Sequence, residues 1–382
     1  MSNYLCEELI DEIFTRLPTK SLLRFRALSK FLCSYIGSPG FIRMHTFRSP
    51  QKLLIRHKFY NYQTHINDCF YTLHSEEQLP VCSRPGYIGI TPIEFPYSIC
   101  STIVGSCNGI LCLFDNKEKH ISVWTPSIRR KLTLPHYPWG LSSAIQLGFG
   151  FDPITDDYNI VKISYAKYGR KSQSSFVYAV KTGTWCEIAS PTPLFSKVAS
   201  NACFVNGALH WVVERSYTES HVADYRFYIL TFDLSTHVFG MIPLPVSSLE
   251  NLQLLTIQGL LAVICMDNTA SRIWVRRDAS WSLLFNVKTD YVGGRITTLY
   301  HLTSNGDLVF NKIGSPRLQV YNPKRGAQST IADFNVASRP HDIVLCVESL
   351  QMLDMGTACK GNRLSNFQRK KKKVEFTTEC NG

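Results

Sequence analysis

ELIDEIFTRLPTKSLLRFRALSKFLCSYIGSPGFI, residues 8–42, is the stretch that determines how the N-terminal part of this chain folds. Just before and within its first half, large apolar residues recur at every fourth position: Leu5, Leu9, Ile13 and Leu17, with Ile10 and Phe14 beside them. This spacing places them on one face of an α-helix. Glu7 and Glu8 suit the positive end of that helix and Pro18 cannot continue it, so a helix is predicted over residues 5–17.

Two further short helices are predicted after Pro18. The first, residues 20–26, carries the apolar side chains Leu22, Leu23 and Phe25. The second is capped by Ser29 and ended by Gly37 and Pro39. Three helices in fewer than fifty residues bury too little surface to be stable alone. Two interpretations stay open: a helical cap on the following domain, or a docking module that completes its core on a partner.

The same stretch resembles the F-box of plant F-box proteins along its whole length. The specific motifs are RLPTKSLLRFR (residues 16–26), Ser29-Lys30 and SPGFI (residues 38–42). The resemblance implies that residues 1–48 bind a Skp-family adaptor and, through it, a cullin. The apolar residues that it assigns to adaptor binding are Leu5, Leu9, Ile13, Leu17, Pro18, Leu22, Leu23, Phe25 and Leu32.

Two positions depart from the family pattern. Leu5-Cys6 stands where the family has Leu-Pro, and Leu32 stands where it has Trp. Leu32 offers less apolar surface than Trp, so we expect looser packing of the third helix and weaker docking.

From about residue 52 to residue 353 the sequence consists of short apolar runs separated by turn motifs, which predicts an all-β domain. Asn-Gly pairs occur at 108–109, 206–207 and 305–306. The clearest strands are GILCLF (109–114), HISVW (120–124), NIVKISY (159–165), FVYAVK (176–181), ALHWVV (208–213), YILTFDL (228–234), LLAVICM (260–266), RIWVRR (272–277) and RLQVYN (317–322).

These strands form a loose repeat. Each unit contains Asn-Gly, an apolar strand, a second strand ending in Asp or Asn, a turn and a short strand, as in CFVNGALHWVV…LTFDLSTHVFGMIPLP. A four-stranded repeat of about 45–50 residues predicts a β-propeller of about six blades. Strands at residues 52–56 and 70–73 would supply one blade, and residues 343–350 would close the ring. A pair of β-sandwiches is the alternative. The predicted class is therefore α+β, with a three-helix F-box (1–48), a propeller-like domain (49–353) and a basic tail (354–382).

The β-domain also resembles a known family. VGSCNGILCL, VWTPSIRR, GFGFDPITDDYNIVKI, FVNGALHW and FDLSTHVFGMIPLP are similar to the F-box-associated, kelch-like domain of plant F-box proteins. The similarity extends from about residue 104 to residue 322, in the family's order. Together the two resemblances imply the substrate-recognition subunit of an SCF-type cullin-RING ubiquitin ligase, with the β-domain binding a protein substrate.

The sequence contains no Gly-x-Ser-x-Gly, Walker or His-Glu-x-x-His motif. GFGFDP (148–153) is predicted to be a strand and turn rather than a phosphate-binding loop. Asp152, Asp156 and Asp157 could hold a metal, but Asp is also favoured in turns because it bonds the local backbone. His210 lies within a strand and is predicted to be a satisfied structural residue. We therefore predict no catalytic residue, no cofactor and no metal.

The chain of 382 residues has 13 cysteines and a net charge of +12. Cysteines without paired spacing predict reduced thiols inside the cell, and no apolar run is long enough to span a membrane. Part of the charge lies in a run near the C-terminus that is a candidate nuclear-import signal: Arg369, Lys370, Lys371, Lys372 and Lys373. The expected location is nucleus and cytoplasm. The alternatives to a ligase subunit are a nuclear regulator or adaptor that works without the ligase and, more weakly, a propeller-fold enzyme; nucleic-acid binding is not required by the charge.

Overall fold

The computed structural model describes residues 7–61, 66–76, 101–135, 143–166, 173–215, 227–246, 251–315, 318–330 and 339–353. Leu5, Cys6 and the basic run at 369–373 lie outside these residues. None of the described helices is both long and apolar enough to cross a membrane.

Four short helices open the chain: α1 (Glu7–Phe14), α2 (Thr19–Arg26), α3 (Lys30–Ile36) and α4 (Pro39–Arg48). Ser29 caps α3 as predicted, since its hydroxyl accepts the Leu32 N–H at 3.1 Å. The prediction of three helices was wrong, because Pro39 begins a helix instead of only ending one. Proline suits the first helical position, where no N–H donor is needed, and Ser38 accepts the Phe41 N–H at 3.3 Å.

Six antiparallel sheets, the blades, come after the helices. Blade 1 contains β1 (Lys52–Asn61), β2 (Ile66–Ser75) and β24 (Arg339–Cys346). Blade 2 contains β3 (Ser101–Cys107), β4 (Ile110–Asp115), β5 (His120–Thr125) and β6 (Arg130–Thr133). Blade 3 contains β7 (Ser143–Asp152), β8 (Asp157–Ala166), β9 (Gln173–Ala179) and β10 (Thr184–Ile188). Blade 4 contains β11 (Phe195–Val198), β12 (Cys203–Val205), β13 (Ala208–Arg215), β14 (Phe227–Asp233) and β15 (Val238–Ile242). Blade 5 contains β16 (Leu252–Ile257), β17 (Leu260–Met266), β18 (Ala270–Arg277) and β19 (Ser280–Lys288). Blade 6 contains β20 (Ile296–Leu302), β21 (Leu308–Lys312), β22 (Gln319–Asn322) and β23 (Ala327–Thr330).

The blades form a closed ring, which confirms the predicted six-bladed propeller. The innermost strands contact one another in the order β24, β3, β7, β12, β16, β20 and back to β24. Blade 1 closes the ring because it combines two N-terminal strands with the C-terminal β24, which pairs with β1 along its length. Because β24 pairs with β1, it covers a strand edge that would otherwise be open to pairing with another chain.

Two kinds of turn repeat around the ring, as the sequence pattern predicted. Asn108-Gly109 and Asn206-Gly207 both have positive φ and join the first and second strands of blades 2 and 4, and Gln258-Gly259 takes that role in blade 5. Two-residue hairpins require this left-handed backbone. Five carboxylates or amides at or directly after the end of a strand accept the backbone N–H groups two and three residues later, at 2.7–3.2 Å: Asp115, Asp152, Asp233, Asp267 and Asn322.

The hydrophobic core lies between neighbouring blades as six clusters, one for each pair. Trp124 packs between blades 1 and 2, Trp211 between blades 3 and 4, and Trp274 and Trp281 between blades 4 and 5. These four tryptophans therefore serve the packing of one blade on the next. A seventh cluster joins the helices to the propeller.

Candidate functional site

The four helices pack against the propeller through the short segment that comes after β24, residues 347–353. Leu350 and Leu353 of this segment are buried against the helices, together with Leu22, Ile36 and Phe41. The helices therefore complete part of their core on the following domain, as the cap interpretation predicted.

Polar contacts fix the same junction. The Glu348 carboxylate accepts the Thr19 backbone N–H of α2 at 3.0 Å and the Lys52 ammonium of β1 at 2.9 Å. Behind the segment, Arg130 of β6 donates to the carbonyls of Met352 and Leu353. Residues 347–353 are thus held on one side by the helices and on the other by blade 2.

The helices occupy one face of the propeller, where the innermost strands end. Gly109, in the turn after β3, lies against Val347 and Ser349, which come after β24. Arg43 of α4 forms a 3.5 Å ion pair with Asp156, in the turn after β7. We call this side the helix face.

The outer surface of the helices carries half-exposed apolar side chains. Leu9 and Ile13 of α1 are each 50% exposed and lie one turn apart, and Phe31 at the start of α3 is 64% exposed. The Phe31 ring stacks on Tyr35 with a centroid distance of 6.0 Å. These side chains form an apolar surface that the propeller leaves uncovered.

The opposite face of the propeller carries a cavity of about 590 Å³ at the mouth of the central channel. It is lined by residues at or near the beginnings of the innermost strands of blades 3 to 6, among them Gln146, Ser200, Asn251 and Thr298. An innermost strand of about seven residues spans roughly 20 Å, which separates this pocket face from the helix face.

A break in the innermost strand of blade 4 provides much of the cavity wall. β11 and β12 both pair with β13, but the ladder is interrupted after Ala199, whose N–H donates to the Val212 carbonyl at 2.7 Å, and it resumes at Cys203. Ser200 stabilises the break because its hydroxyl accepts the Val212 N–H at 2.8 Å. The interruption turns the residues between the two strands into the lining of the cavity.

Two glutamines of the innermost strands connect neighbouring blades beside the cavity. Gln253 of β16 bonds both backbone groups of Leu299 in β20, donating at 2.5 Å and accepting at 3.0 Å. Gln146 of β7 donates to the Ser200 carbonyl at 3.4 Å. Both amides are therefore engaged in holding the ring together.

Comparison with known proteins agrees with this geometry. Residues 3–44 match the F-box domain, and residues 62–332 match the F-box associated beta propeller domain. The chain belongs to the F-box-associated β-propeller family.

Arabidopsis thaliana proteins are among its relatives. The F-box protein At3g16210 is 32% identical over 252 residues, which cover 64% of this chain and 62% of that protein. The chain thus spans less than two thirds of the length of this relative. The F-box/kelch-repeat protein At3g23880 is 23% identical over 312 residues, covering 75% of this chain and 80% of that protein. A chain of the nidogen/laminin complex crystal structure is similar with a TM-score of 0.46 at 10% identity, covering 78% of this chain and 99% of that one.

The predicted adaptor-binding residues of the F-box fall into three groups by the exposure of their side chains. Leu9, Ile13 and Pro18 are exposed, and a further set is half-buried in the helix–propeller cluster: Leu17, Leu23, Phe25 and Leu32. Leu22 is completely buried. Whether any of them binds an adaptor stays a prediction, as it does for Leu5, which lies outside the described residues.

Leu22 differs from the other predicted docking residues because its side chain is completely buried, in the cluster that also contains Leu350 and Leu353. In this arrangement it offers no surface to a partner, and its assignment to adaptor binding stays a prediction. Spacing along the helix could not reveal this burial, since Leu350 and Leu353 lie more than three hundred positions away.

Two surface features were missed in the sequence. Phe31, beside Leu32, was not among the predicted adaptor-binding residues, yet its side chain is exposed. The cavity residue Lys197 was not singled out at all. An exposed aromatic at the start of a helix was a usable indication for Phe31; no motif marked Lys197.

The acidic cluster and His210 have the structural roles predicted for them. Asp152 accepts the backbone N–H groups of Ile154 and Thr155 within the β7–β8 turn. Asp157 accepts the Lys181 N–H at 3.0 Å, and burial raises the pKa of its carboxyl group. His210 is buried with Nδ1 3.2 Å from the Cys203 carbonyl. Among the described residues no group of three or more His, Cys, Asp or Glu side chains is placed to hold a metal ion.

Proposed function

We propose that this protein is the substrate-recognition subunit of an SCF-type cullin-RING ubiquitin ligase. The F-box docks on a Skp-family adaptor and through it on a cullin, and the pocket face of the propeller binds a protein substrate. The chain itself makes and breaks no covalent bond. It accelerates ubiquitin transfer because substrate lysines are held at a high effective concentration beside the ubiquitin-loaded enzyme.

The single observation that carries this proposal is the placement of two uncovered surfaces on opposite faces of one rigid ring. The apolar F-box surface around Leu9 and Ile13 lies on the helix face, and the cavity lies at the channel mouth on the other. An adaptor and a substrate can therefore bind the same chain together without competing for space.

Adaptor binding is tested with the full chain, because residues 1–48 alone would lack Leu350 and Leu353. The double variant Leu9→Ala, Ile13→Ala is titrated with a purified Skp-family adaptor by calorimetry. We expect binding at least tenfold weaker, or about 1.4 kcal/mol, because two apolar contacts are lost. Leu283→Ala is the matched control, since Leu283 is also about half exposed (46%) but lies in blade 5. Full-strength binding by the double variant would remove the F-box surface from the proposal.

Substrate binding is tested by affinity capture from cells in which the proteasome is blocked. The blocking variant is Ala199→Trp, because Ala199 is an exposed residue of the cavity wall. We expect ubiquitinated proteins captured by the natural chain to be lost from the variant while the adaptor is retained. Recovery of the same proteins with both chains would place the substrate site elsewhere.

Localisation to nucleus and cytoplasm is also part of the proposal, with import assigned to Arg369 and the four lysines after it. Changing the four lysines to Gln should move a fluorescent fusion toward the cytosol. An unchanged distribution would leave the run as a solvated charge cluster.

A further inference from the structure

The cavity at the channel mouth has an unequal balance of charge. Lys197 is the single ionisable side chain among the described lining residues, and the lining contains no carboxylate. The rest of the wall consists of amides, hydroxyls and apolar groups such as Phe227 and Met266. The charge of the described lining therefore favours an anionic group over a cationic one.

Lys197 is exposed and makes no ion pair or hydrogen bond with any described residue. Its cross-strand neighbour is Glu214 of β13, whose side chain is buried and which has interactions of its own. No contact within 4.0 Å joins the Lys197 ammonium to that carboxylate. The ammonium is thus free to meet a group that enters the cavity.

Two asparagine side chains of the lining are, like the Lys197 ammonium, available to a ligand. The Asn201 and Asn251 side chains are exposed, and neither forms a hydrogen bond to another described residue. They differ from Gln146 and Gln253, whose amides are consumed by contacts between blades. Amide N–H groups beside an ammonium can share a carboxylate, which accepts several hydrogen bonds.

The break in blade 4 exposes backbone as well. Asn201 and Ala202 lie between β11 and β12, outside the ladder with β13. Unpaired backbone groups beside a cavity suit an extended peptide, which offers its own N–H and C=O groups in return. A volume of about 590 Å³ accommodates several side chains rather than a single ion.

We propose that this cavity binds an extended peptide segment of the substrate through an Asp or Glu side chain, whose carboxylate is held by Lys197 with Asn201 and Asn251. The inference rests on the proposed function, since it names the substrate chemistry of the same pocket. A monoanion fits one cation; phosphorylated residues, which carry more charge, are commonly recognised by clusters of arginines.

The test uses the full chain and pools of peptides with blocked ends, so that charge comes only from side chains. One pool has a fixed Asp or Glu, a second has Asn or Gln at that position, and a third has phosphoserine. We expect the acidic pool to bind about fivefold more tightly than the amide pool, which is the upper range for an exposed ion pair. The preference should shrink as salt is added.

Lys197→Gln should abolish the preference, whereas Lys324→Gln should keep it. Lys324 is the matched control because it is also exposed but lies in the β22–β23 turn on the helix face. Equal binding of acidic and amide pools to the natural chain overturns the inference, as does a preference that survives Lys197→Gln. A stronger preference for phosphoserine overturns the assignment to a carboxylate.

Ala199→Trp separates this inference from the proposed function. If peptides bind without regard to charge and Ala199→Trp abolishes their binding, the pocket is a substrate site and only the acidic preference is wrong. If Ala199→Trp leaves the binding of every pool unchanged, the pocket itself is wrong and both fail. Equal melting temperatures of all variants confirm that folding is not the variable.

Discussion

Gly148 and Gly150 of β7 sit where blade 3 meets blade 4 without room for a side chain. A Cβ on Gly148 would lie 2.6 Å from the Trp211 ring and 2.8 Å from Leu209. A Cβ on Gly150 would overlap the Phe204 ring. The glycines of GFGFDP therefore serve close packing of two blades, and both lie in a strand as predicted.

Gly148→Ala is expected to destabilise the protein by about 1–3 kcal/mol, because a packed core must yield to the new methyl group. Gly40→Ala is the matched control with the opposite sign. Gly40 lies in α4 with nothing within 4 Å of its Cβ position, so alanine should stabilise by up to about 1 kcal/mol. Denaturant unfolding of the full chain measures both. A neutral Gly148→Ala variant would mean that the blades can separate slightly at no cost.

Single residues differ in how far the sequence predicts them. Asp152 was predicted as a turn residue because its interactions are with the next three residues. The packing role of Gly148 and the place of Lys197 in the cavity wall could not be predicted. Their neighbours, Trp211 and the other lining residues, belong to strands that come close only in the folded ring. Contacts between residues close in sequence can be predicted from local motifs, whereas contacts between blades depend on how the ring closes.

At the scale of elements, residues 347–353 connect the F-box to the propeller. Burial by itself raises the pKa of the Glu348 carboxyl, but the hydrogen bonds from the Lys52 ammonium and the Thr19 N–H outweigh it. The net pKa is below its ordinary value of 4.5. The folded state thus binds its proton less readily than the unfolded chain. The resulting stabilisation is complete above about pH 4.5 and is lost as pH falls through the lower, folded pKa.

Glu348→Gln should therefore destabilise the protein at pH 7 by about 1–2 kcal/mol, since charged hydrogen bonds are lost. The difference from the natural chain should shrink as the pH falls below about 4.5. Denaturant unfolding across this pH range measures the difference. Glu187→Gln is the control, because Glu187 is exposed on the outer strand β10 and should show little effect at any pH. A gap that stays constant with pH would exclude the ionised contact as its cause.

The helices also show which features of an element the sequence could predict and which it could not. Ser29 marked the start of α3 correctly because a cap is a contact within one turn. The fourth helix was missed because proline both ends and begins helices, and the choice between the two depends on the residues after the proline. Leu22 is buried in a cluster with Leu350, which follows the last strand of the propeller in the sequence. The residues around Leu22 could therefore not predict its burial.

At the scale of the whole molecule, the propeller closes in blade 1, where β1 and β2, which follow the helices, meet β24, the last described strand. The Arg56 guanidinium of β1 is buried and pairs with Asp342 of β24, and it also donates to the Ser101 carbonyl of blade 2. β24 thus supplies the innermost strand of blade 1 and a partner for a buried charge, and it leads directly into residues 347–353, the anchor segment on which the F-box packs. The sequence predicted that strands at residues 52–56 and 70–73 supply one blade and that residues 343–350 close the ring. The closing strand is β24 at Arg339–Cys346, so residues 347–350 lie beyond it.

Two truncations separate these contributions. Ending the chain after Leu353 keeps β24 and the anchor segment, so the melting temperature and the oligomeric state should match those of the full chain. Ending it after Ser338 removes both, leaves the edge of β1 uncovered and leaves Arg56 buried without its carboxylate, a loss of about 3–5 kcal/mol by itself. We expect this shorter chain to aggregate or to melt without a cooperative transition, as followed by size-exclusion chromatography and circular dichroism.

Adding a synthetic peptide of residues 339–353 should restore a cooperative transition, because the missing strand pairs with β1 through seven register positions from Lys52 to Lys58. The same peptide with Asp342→Asn should restore it less well. A chain ending at Ser338 that keeps the oligomeric state and the melting curve of the full protein would show that the propeller is stable without its closing strand, and that residues 339–353 serve only to hold the F-box.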